Sequence, residues 1–133
     1  KSALDKRISA LKSYFLIYMN IFIVIPTYNE RKTIGPIVRD LDMRGFRVVV
    51  VDDGSNDHTI IDANKYGAEL IVHAENAGKG RCLREGMEHA LANGCDIVIT
   101  MDGDAQHNLS DIDKLLEEYK KSNSKCNNAF NKV

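Results

Sequence analysis

Two aspartates and a glutamine follow an apolar run at alternate positions: Asp102, Asp104 and Gln106. Alternate residues of an extended chain point to the same side, so their oxygen atoms can converge on one point. Carboxylates that lie close together repel each other unless a cation or a proton lies between them. Hard oxygen ligands of this kind suit Mg²⁺ or Mn²⁺, and substrate phosphates commonly complete the coordination shell. The pattern predicts a divalent metal site for a diphosphate.

Two further clusters also follow apolar runs. Pro26, Tyr28 and Glu30 come after the first run, where an aromatic ring and a carboxylate could frame a flat heterocycle. Asp52 and Asp53 come after the second run, and either carboxylate could accept a hydrogen bond from a base N–H or a ribose hydroxyl. Both clusters also fit a simpler interpretation, in which they are turns that begin the next helix.

A glycine-rich turn with basic residues follows the third apolar run, over residues 76–81. It begins a predicted helix, and the free N–H groups at a helix N-terminus favour anions. Lys79, Arg81 and Arg84 are candidates to neutralise phosphate, although the arginines also fit a solvated helix surface. His107, beside the acidic cluster, is ambiguous between a structural role and a ligand.

Strand and helix patterns alternate along the chain. The order βαβαβαβα predicts an α/β fold, a Rossmann-like half with a parallel sheet, right-handed crossovers and helices on both faces. In such sheets ligands bind at the carboxyl ends of the strands, where all the clusters above fall. The predicted strands cover 21–25, 47–51, 69–73 and 96–101; the predicted helices cover 34–43, 57–66, 80–92 and a segment that begins at Ser110.

Composition narrows the class of protein. A formal net charge of −1 and a pI near 6.5 argue against a nucleic-acid partner. Three dispersed cysteines without a metal-ligand pattern favour a reduced, cytoplasmic setting. No run reaches the roughly 18 uncharged apolar residues that span a bilayer.

The two ends differ from the middle of the chain. We expect an N-terminal extension over 1–20, helical in part, a domain over 21–122 and a polar tail over 123–133. Leu4, Ile8, Leu11 and Phe15 recur at helical spacing within the extension. This segment therefore fits a helix that packs on the domain, or a basic amphipathic helix on a membrane surface, in which case the protein would be peripheral on the inner face of the membrane.

Four segments together, 26–30, 51–55, 76–80 and 101–107, resemble the family 2 glycosyltransferases, in particular the polyprenyl-phosphate (dolichol-phosphate type) sugar transferases. The resemblance covers about residues 21–122. It implies a GT-A fold, a nucleotide-diphosphate sugar such as UDP-glucose or GDP-mannose as donor, and Mg²⁺ or Mn²⁺ as cofactor. The family often has alanine at the position of Gly103.

The resemblance also implies roles for the candidate residues. Pro26, Tyr28, Glu30 and either Asp53 or Asp52 would line the nucleoside pocket, and Lys79 belongs to the phosphate-binding turn. Asp102, Asp104 and Gln106 would hold the metal. Asp104 is the first candidate for a direct ligand, and Asp102 would act directly, through water or on the ribose. These two aspartates are the candidate catalytic residues of an inverting displacement.

The family's second half, which binds the acceptor, has no counterpart here, because the sequence ends about one helix after Gln106. We therefore expect the donor-binding half of a larger transferase, with a lipid phosphate as acceptor and an oligomer or second chain supplying the acceptor half. The alternative is a truncated, non-catalytic remnant that binds nucleotide sugar. A phosphoacceptor receiver domain and a haloacid-type phosphatase fit less well, since both need their acidic pair after the first strand.

Overall fold

The described part of the chain, residues 2–7, 18–104 and 109–130, forms two compact units in this computed structural model. The larger unit is Tyr14–His107, and the smaller one combines Lys1–Ser13 with Asn108–Val133. The elements of the larger unit are β1 (Ile21–Thr27), α1 (Arg31–Met43), β2 (Arg47–Asp52), α2 (Thr59–Lys65), β3 (Glu69–Val72), α3 (Lys79–Ala92) and β4 (Ile97–Thr100). The smaller unit contains α4 (Ser110–Phe130).

The four strands form one parallel sheet in the order β3-β2-β1-β4. In the register of the central strand, Val24 is opposite both Val49 of β2 and Thr100 of β4. Because all strands run the same way, the segments that follow them meet at one edge of the sheet. The predicted α/β fold with a parallel sheet is confirmed.

The sheet is buried because helices cover it, and α3 packs tightly against β1 and β2. Cys82, Gly86 and Ala90 recur every four residues along α3 and are all buried, so they form one face of small side chains. This face packs on Phe22 and Val24 of β1 together with Val49 and Val51 of β2. A Cβ atom at Gly86 would lie 2.3 Å from Cγ1 of Val24, so the absence of a side chain there sets how close α3 comes to the sheet.

Helix α1 begins three residues before the predicted range of 34–43, for a tertiary reason. The backbone N–H of Arg31 donates to the Asp57 carboxylate at 3.1 Å, and that of Glu30 donates to the Thr59 hydroxyl at 3.0 Å. Side chains from the start of α2 and the residues just before it thus satisfy N–H groups that a helix start leaves without partners. The chain can begin its helix earlier than its local sequence indicates.

In the smaller unit, α4 continues through residues 123–130, where the composition predicted a polar tail. No glycine or proline follows Gly103 to stop a helix. Residues 3–7 are helical, and the Ser2 hydroxyl accepts from the Asp5 N–H at 3.1 Å, as an N-cap does. Ile8, Leu11 and Phe15 lie outside the described residues. Among the described residues, no helix combines the length and hydropathy needed to cross a bilayer.

Candidate functional site

A cleft of about 270 Å³ opens at the carboxyl edge of the sheet. Thr27, Cys82 and Gly103 contribute to its lining beside the predicted residues. Seven residues that the sequence singled out line it: Pro26, Tyr28, Glu30, Asp53, Lys79, Asp102 and Asp104. The structure thus brings segments from four places in the chain to one cleft.

The two aspartates of the acidic cluster lie in the turn after β4, since that strand ends at Thr100. They share the cleft because the turn is folded back over the end of β1, not because they alternate along a strand. Gly103, between them, is buried, and its carbonyl accepts a hydrogen bond from the Thr33 hydroxyl of α1. A Cβ atom on Gly103 would lie 2.9 Å from Cγ2 of Thr27, which explains glycine at a position where the family often has alanine. Gln106 and His107 lie outside the described residues.

Negative charge accumulates on one side of the cleft. Burial raises the pKa of Glu30, and the charges of Asp104, Asp57 and Asp102 raise it further. Lys79 offsets part of this charge, because its Nζ lies 2.6 Å from Oδ1 of Asp102. Carboxylates that lie this close together are a donor set that fits a hard divalent cation.

Asp52 and Asp53, which the sequence did not separate, have different positions. Asp52 is fully buried, and its carboxylate accepts from the Ser55 N–H at 2.9 Å, the Ser55 hydroxyl at 2.6 Å and the Thr27 hydroxyl at 3.2 Å. Asp52 therefore shapes the turn after β2 and does not line the cleft, contrary to its inclusion among the donor-binding candidates. Asp53 does line it.

Asp53 also connects two turns of the cleft. Its carboxylate accepts from the N–H of Ala77 at 2.7 Å and the N–H of Gly78 at 3.1 Å, directly before α3. It lies 2.9 Å from Nδ1 of His73. Burial alone would raise the pKa of Asp53, but the hydrogen bonds from His73 and the two backbone N–H groups outweigh it and lower the pKa to about 2. Asp53 is thus an ionised anchor for the glycine-rich turn.

His73 and Glu85 are functional candidates that the sequence reasoning missed. Nε2 of His73 lies 2.5 Å from Oε2 of Glu85, on α3. The available signal was the position of His73 directly after β3, at the same sheet edge as the other clusters. Arg81 pairs with Glu85 at 2.8 Å and Arg84 with Glu88 at 3.9 Å, so both arginines form ion pairs within α3.

Asp53, His73 and Cys82 carry ligand-type atoms within 4.8 Å of one another. Burial, followed by the charge of Asp53, raises the pKa of the Cys82 thiol to about 11, so the sulfur keeps its proton near neutral pH. The Asp53 carboxylate and Nδ1 of His73 already form a hydrogen bond with each other. The cluster is therefore held together by hydrogen bonds, and the acidic turn fits a divalent cation better.

The aromatic wall of the cleft is Tyr28, which is 48% exposed at the rim. The next residue, Asn29, has a positive φ of 53°, and its N–H donates to the Ser55 hydroxyl at 2.8 Å. In return, the Asn29 side chain accepts from the Asn56 N–H at 3.0 Å. These bonds join the turn after β1 to the turn after β2, and so fix the backbone that carries Tyr28.

The parallel four-stranded sheet, with the acidic turn, Tyr28 and Lys79 gathered at its carboxyl edge, has the α/β arrangement of GT-A-like domains. Residues 22–129 match the model of glycosyl transferase family 2, and the chain belongs to this family.

Relatives and solved structures agree with this assignment. The UDP-N-acetylglucosamine–dolichyl-phosphate N-acetylglucosaminyltransferase of Methanococcus voltae is 32% identical over 73% of this chain and 46% of its own length. The dolichol-phosphate mannosyltransferase of Pyrococcus furiosus is 33% identical over 77% of this chain and 30% of its own length. Glucosyl-3-phosphoglycerate synthase of Mycobacterium tuberculosis, solved with Mg²⁺ and uridine diphosphate, superposes with a TM-score of 0.57 at 26% identity, covering 72% of this chain and 37% of that one. The chain spans less than half the length of these proteins.

Proposed function

We propose that this chain is the donor-binding part of a glycosyltransferase that takes a sugar from a nucleotide-diphosphate donor with the help of Mg²⁺ or Mn²⁺. The observation that carries the proposal is the cleft itself. It combines the acidic turn of Asp102 and Asp104 with Lys79 at the start of α3, at the sheet edge where a diphosphate would bind.

The diphosphate end of the donor would lie beside the acidic turn. Asp102, Asp104 and Gln106 would hold the divalent cation, which when bound stabilises the charge of the departing nucleoside diphosphate. Lys79, which already lies in the cleft at the N-terminus of α3, would add positive charge there. The Thr33 hydroxyl holds the backbone of this turn through the Gly103 carbonyl, and so keeps both carboxylates facing the cleft.

The nucleoside end would lie along the turn after β1. The ring of Tyr28 offers a stacking surface for the base, and Pro26 and Glu30 continue the wall toward the acidic turn. Asp53 borders the same space, but its carboxylate oxygens already accept hydrogen bonds from Ala77, Gly78 and His73. We therefore propose that Asp53 positions the turn of Ala77 and Gly78 as well as contacting the base.

A polyprenyl phosphate is the acceptor that we propose, because the relatives from M. voltae and P. furiosus are named as dolichyl-phosphate and dolichol-phosphate transferases. Its phosphate oxygen is ionised near neutral pH, so inversion by direct attack on the sugar needs no general base. Residues beyond this chain, from a longer polypeptide or a second chain, would bind that acceptor. The enzyme would work in the cytoplasm, peripherally on the inner face of the membrane.

The alternative is a domain that binds nucleotide sugar without transferring it. Both functions need the same donor site, so donor binding is the property to measure first.

A thermal-shift titration tests this site. We would titrate the chain with UDP, GDP, UDP-glucose and GDP-mannose, each with and without Mn²⁺. A ligand at 100 times its dissociation constant stabilises the folded state by about 2.7 kcal/mol, which raises the melting temperature by several degrees. We expect a Mn²⁺-dependent shift with the nucleotides of one base.

Two variants make the result specific. Asp104→Asn should abolish the Mn²⁺-dependent shift, whereas Asp111→Asn, the same change at an exposed position of α4, should leave it intact. A folded chain that no nucleotide stabilises would refute the proposed donor site. An equal shift in Asp104→Asn would show that the nucleotide binds without the acidic turn.

A further inference from the structure

His73 lies between two carboxylates from different elements. Its Nδ1 is 2.9 Å from Oδ1 of Asp53, which directly follows β2, and its Nε2 is 2.5 Å from Oε2 of Glu85, on α3. The side chains of His73 and Asp53 are each only 13% exposed, and that of Glu85 is 24% exposed. Water therefore replaces neither contact easily.

Both contacts need a hydrogen on the ring. An ionised carboxylate only accepts, and neutral imidazole has a single N–H, so only the imidazolium form donates to both partners. The hydrogen bond with Asp53, followed by that with Glu85, raises the pKa of His73 against the opposing effect of burial. The other groups that face this cluster are Cys82, whose Sγ lies 3.8 Å from Nδ1, and Arg81, which pairs with Glu85 from the solvent side.

The contact with Asp53 reaches the donor cleft through the backbone. Asp53 accepts from the N–H groups of Ala77 and Gly78, and α3 begins with the next residue, Lys79. Gly54 packs against the same turn, since a Cβ atom there would lie 3.2 Å from the carbonyl carbon of Glu75. The position of Lys79 thus depends on a turn that has Asp53 as its anchor.

We infer that His73, as an imidazolium, is a positioning residue for the donor site: it joins Asp53 to Glu85 and thereby fixes the turn 76–78, from which Lys79 enters the cleft. The link to donor binding rests on the proposed function, whereas the link between His73 and the turn stands without it. When the imidazolium loses its proton, one of the two contacts loses its hydrogen bond. The turn 76–78 then becomes less well ordered, and the nucleotide sugar binds more weakly.

The first test needs no ligand. NMR titration of the chain follows the ring nitrogens of His73 and the amides of Ala77 and Gly78 as the pH rises. We expect the ring of His73 to titrate above the usual pKa of histidine, and the amide shifts of Ala77 and Gly78 to change with the same midpoint. A midpoint at or below the usual value, or turn amides that ignore the His73 titration, would overturn the inference.

The second test measures binding of UDP and GDP with Mn²⁺ by calorimetry across the same pH range. Nucleoside diphosphates titrate near neutral pH themselves, so the comparison between variants carries the result. His73→Gln should weaken binding by about tenfold at the acidic end of the range and remove the part of the pH dependence that belongs to His73. His89→Gln is the matched control. His89 also lies on α3 and also contacts a carboxylate, since its Nε2 is 3.0 Å from Oε1 of Glu69. This variant should keep the wild-type pH profile of binding.

Glu85→Gln provides a variant that keeps the histidine. It removes one of the two carboxylates that favour the imidazolium, so the midpoint of the His73 titration and of the binding profile should both move to lower pH. Unchanged midpoints in both measurements would contradict the inference. If the wild-type chain binds neither nucleotide while the turn amides follow His73, the proposed function fails and the positioning of the turn stands.

Discussion

Replacing Gly86 with alanine should destabilise the fold, although alanine is the better helix former. The new Cβ atom would lie 2.3 Å from Cγ1 of Val24 and 3.1 Å from Cγ2 of Val51. Unstrained carbon atoms keep about 3.5–4.0 Å apart, and both valines are fully buried and β-branched, so neither turns away freely. Helix α3 must move off the sheet or strain its neighbours.

The expected magnitude follows from two opposing effects. Overpacking of a core costs about 1–3 kcal/mol, and an overlap of this size belongs at the upper end of that range. The better helix propensity of alanine returns up to about 1 kcal/mol. We expect Gly86→Ala to lower the free energy of unfolding by about 2–3 kcal/mol.

Gly80→Ala is the matched control on the same helix. Apart from its chain neighbours and the backbone of its own helix, no described residue comes within 4 Å of a Cβ atom there, so the substitution should stabilise the protein by up to about 1 kcal/mol. The assay is urea unfolding of both variants. If the slope of the unfolding free energy against urea concentration is unchanged, the midpoints report stability. Equal stabilities for the two variants would refute the reasoning that Gly86 sets the distance between α3 and the sheet.

Three further predictions concern single side chains of the cleft. Asp53 has its pKa lowered from 3.8 to about 2, so its carboxylate stabilises the fold above the unfolded pKa by about 2 kcal/mol, and this contribution is lost as the pH falls through the folded pKa. Asp53→Asn should therefore be less stable by about that amount at neutral pH, with the difference closing near pH 2; a difference that does not depend on pH would contradict this. Glu30 has a raised pKa, so its charge destabilises the fold at neutral pH, and Glu30→Gln should raise the melting temperature without divalent cations, whereas a lower one would contradict the charge argument. The buried Cys82 thiol, with a pKa of about 11, should react with iodoacetamide much more slowly than the half-buried Cys95, as mass spectrometry of the native protein would show; equal rates would exclude the buried, protonated state.

Patterns local to one segment predicted the fold well. The apolar runs at 21–25 and 47–51 became the two fully covered central strands, because a strand buried on both faces needs no polar alternation. The acidic and glycine-rich clusters were predicted to meet because parallel strands end at one edge. Both predictions use only the pattern of each strand and of the few residues that follow it, which are close together in sequence.

Contacts between distant residues set the details that the sequence did not predict. Asp52 and Asp53 are neighbours, and only the packing of β2 decides that Asp52 is buried under Ser55 while Asp53 faces the cleft. Glu85, Asp53 and His73 come from three elements, so no spacing along the chain reveals that they meet. Likewise, the bond from Thr33 to Gly103 joins residues 70 positions apart.

The proposed donor site depends on a divalent cation at the acidic turn, where a nucleoside diphosphate would complete the coordination shell. Electron paramagnetic resonance measures it directly, because bound Mn²⁺ loses the sharp six-line signal of the free ion. We predict weak Mn²⁺ binding by the chain alone, much tighter binding in the presence of UDP or GDP, and loss of this gain in Asp104→Asn but not in Asp111→Asn. Mn²⁺ binding that neither nucleotide strengthens, or that Asp104→Asn leaves unchanged, would contradict the account.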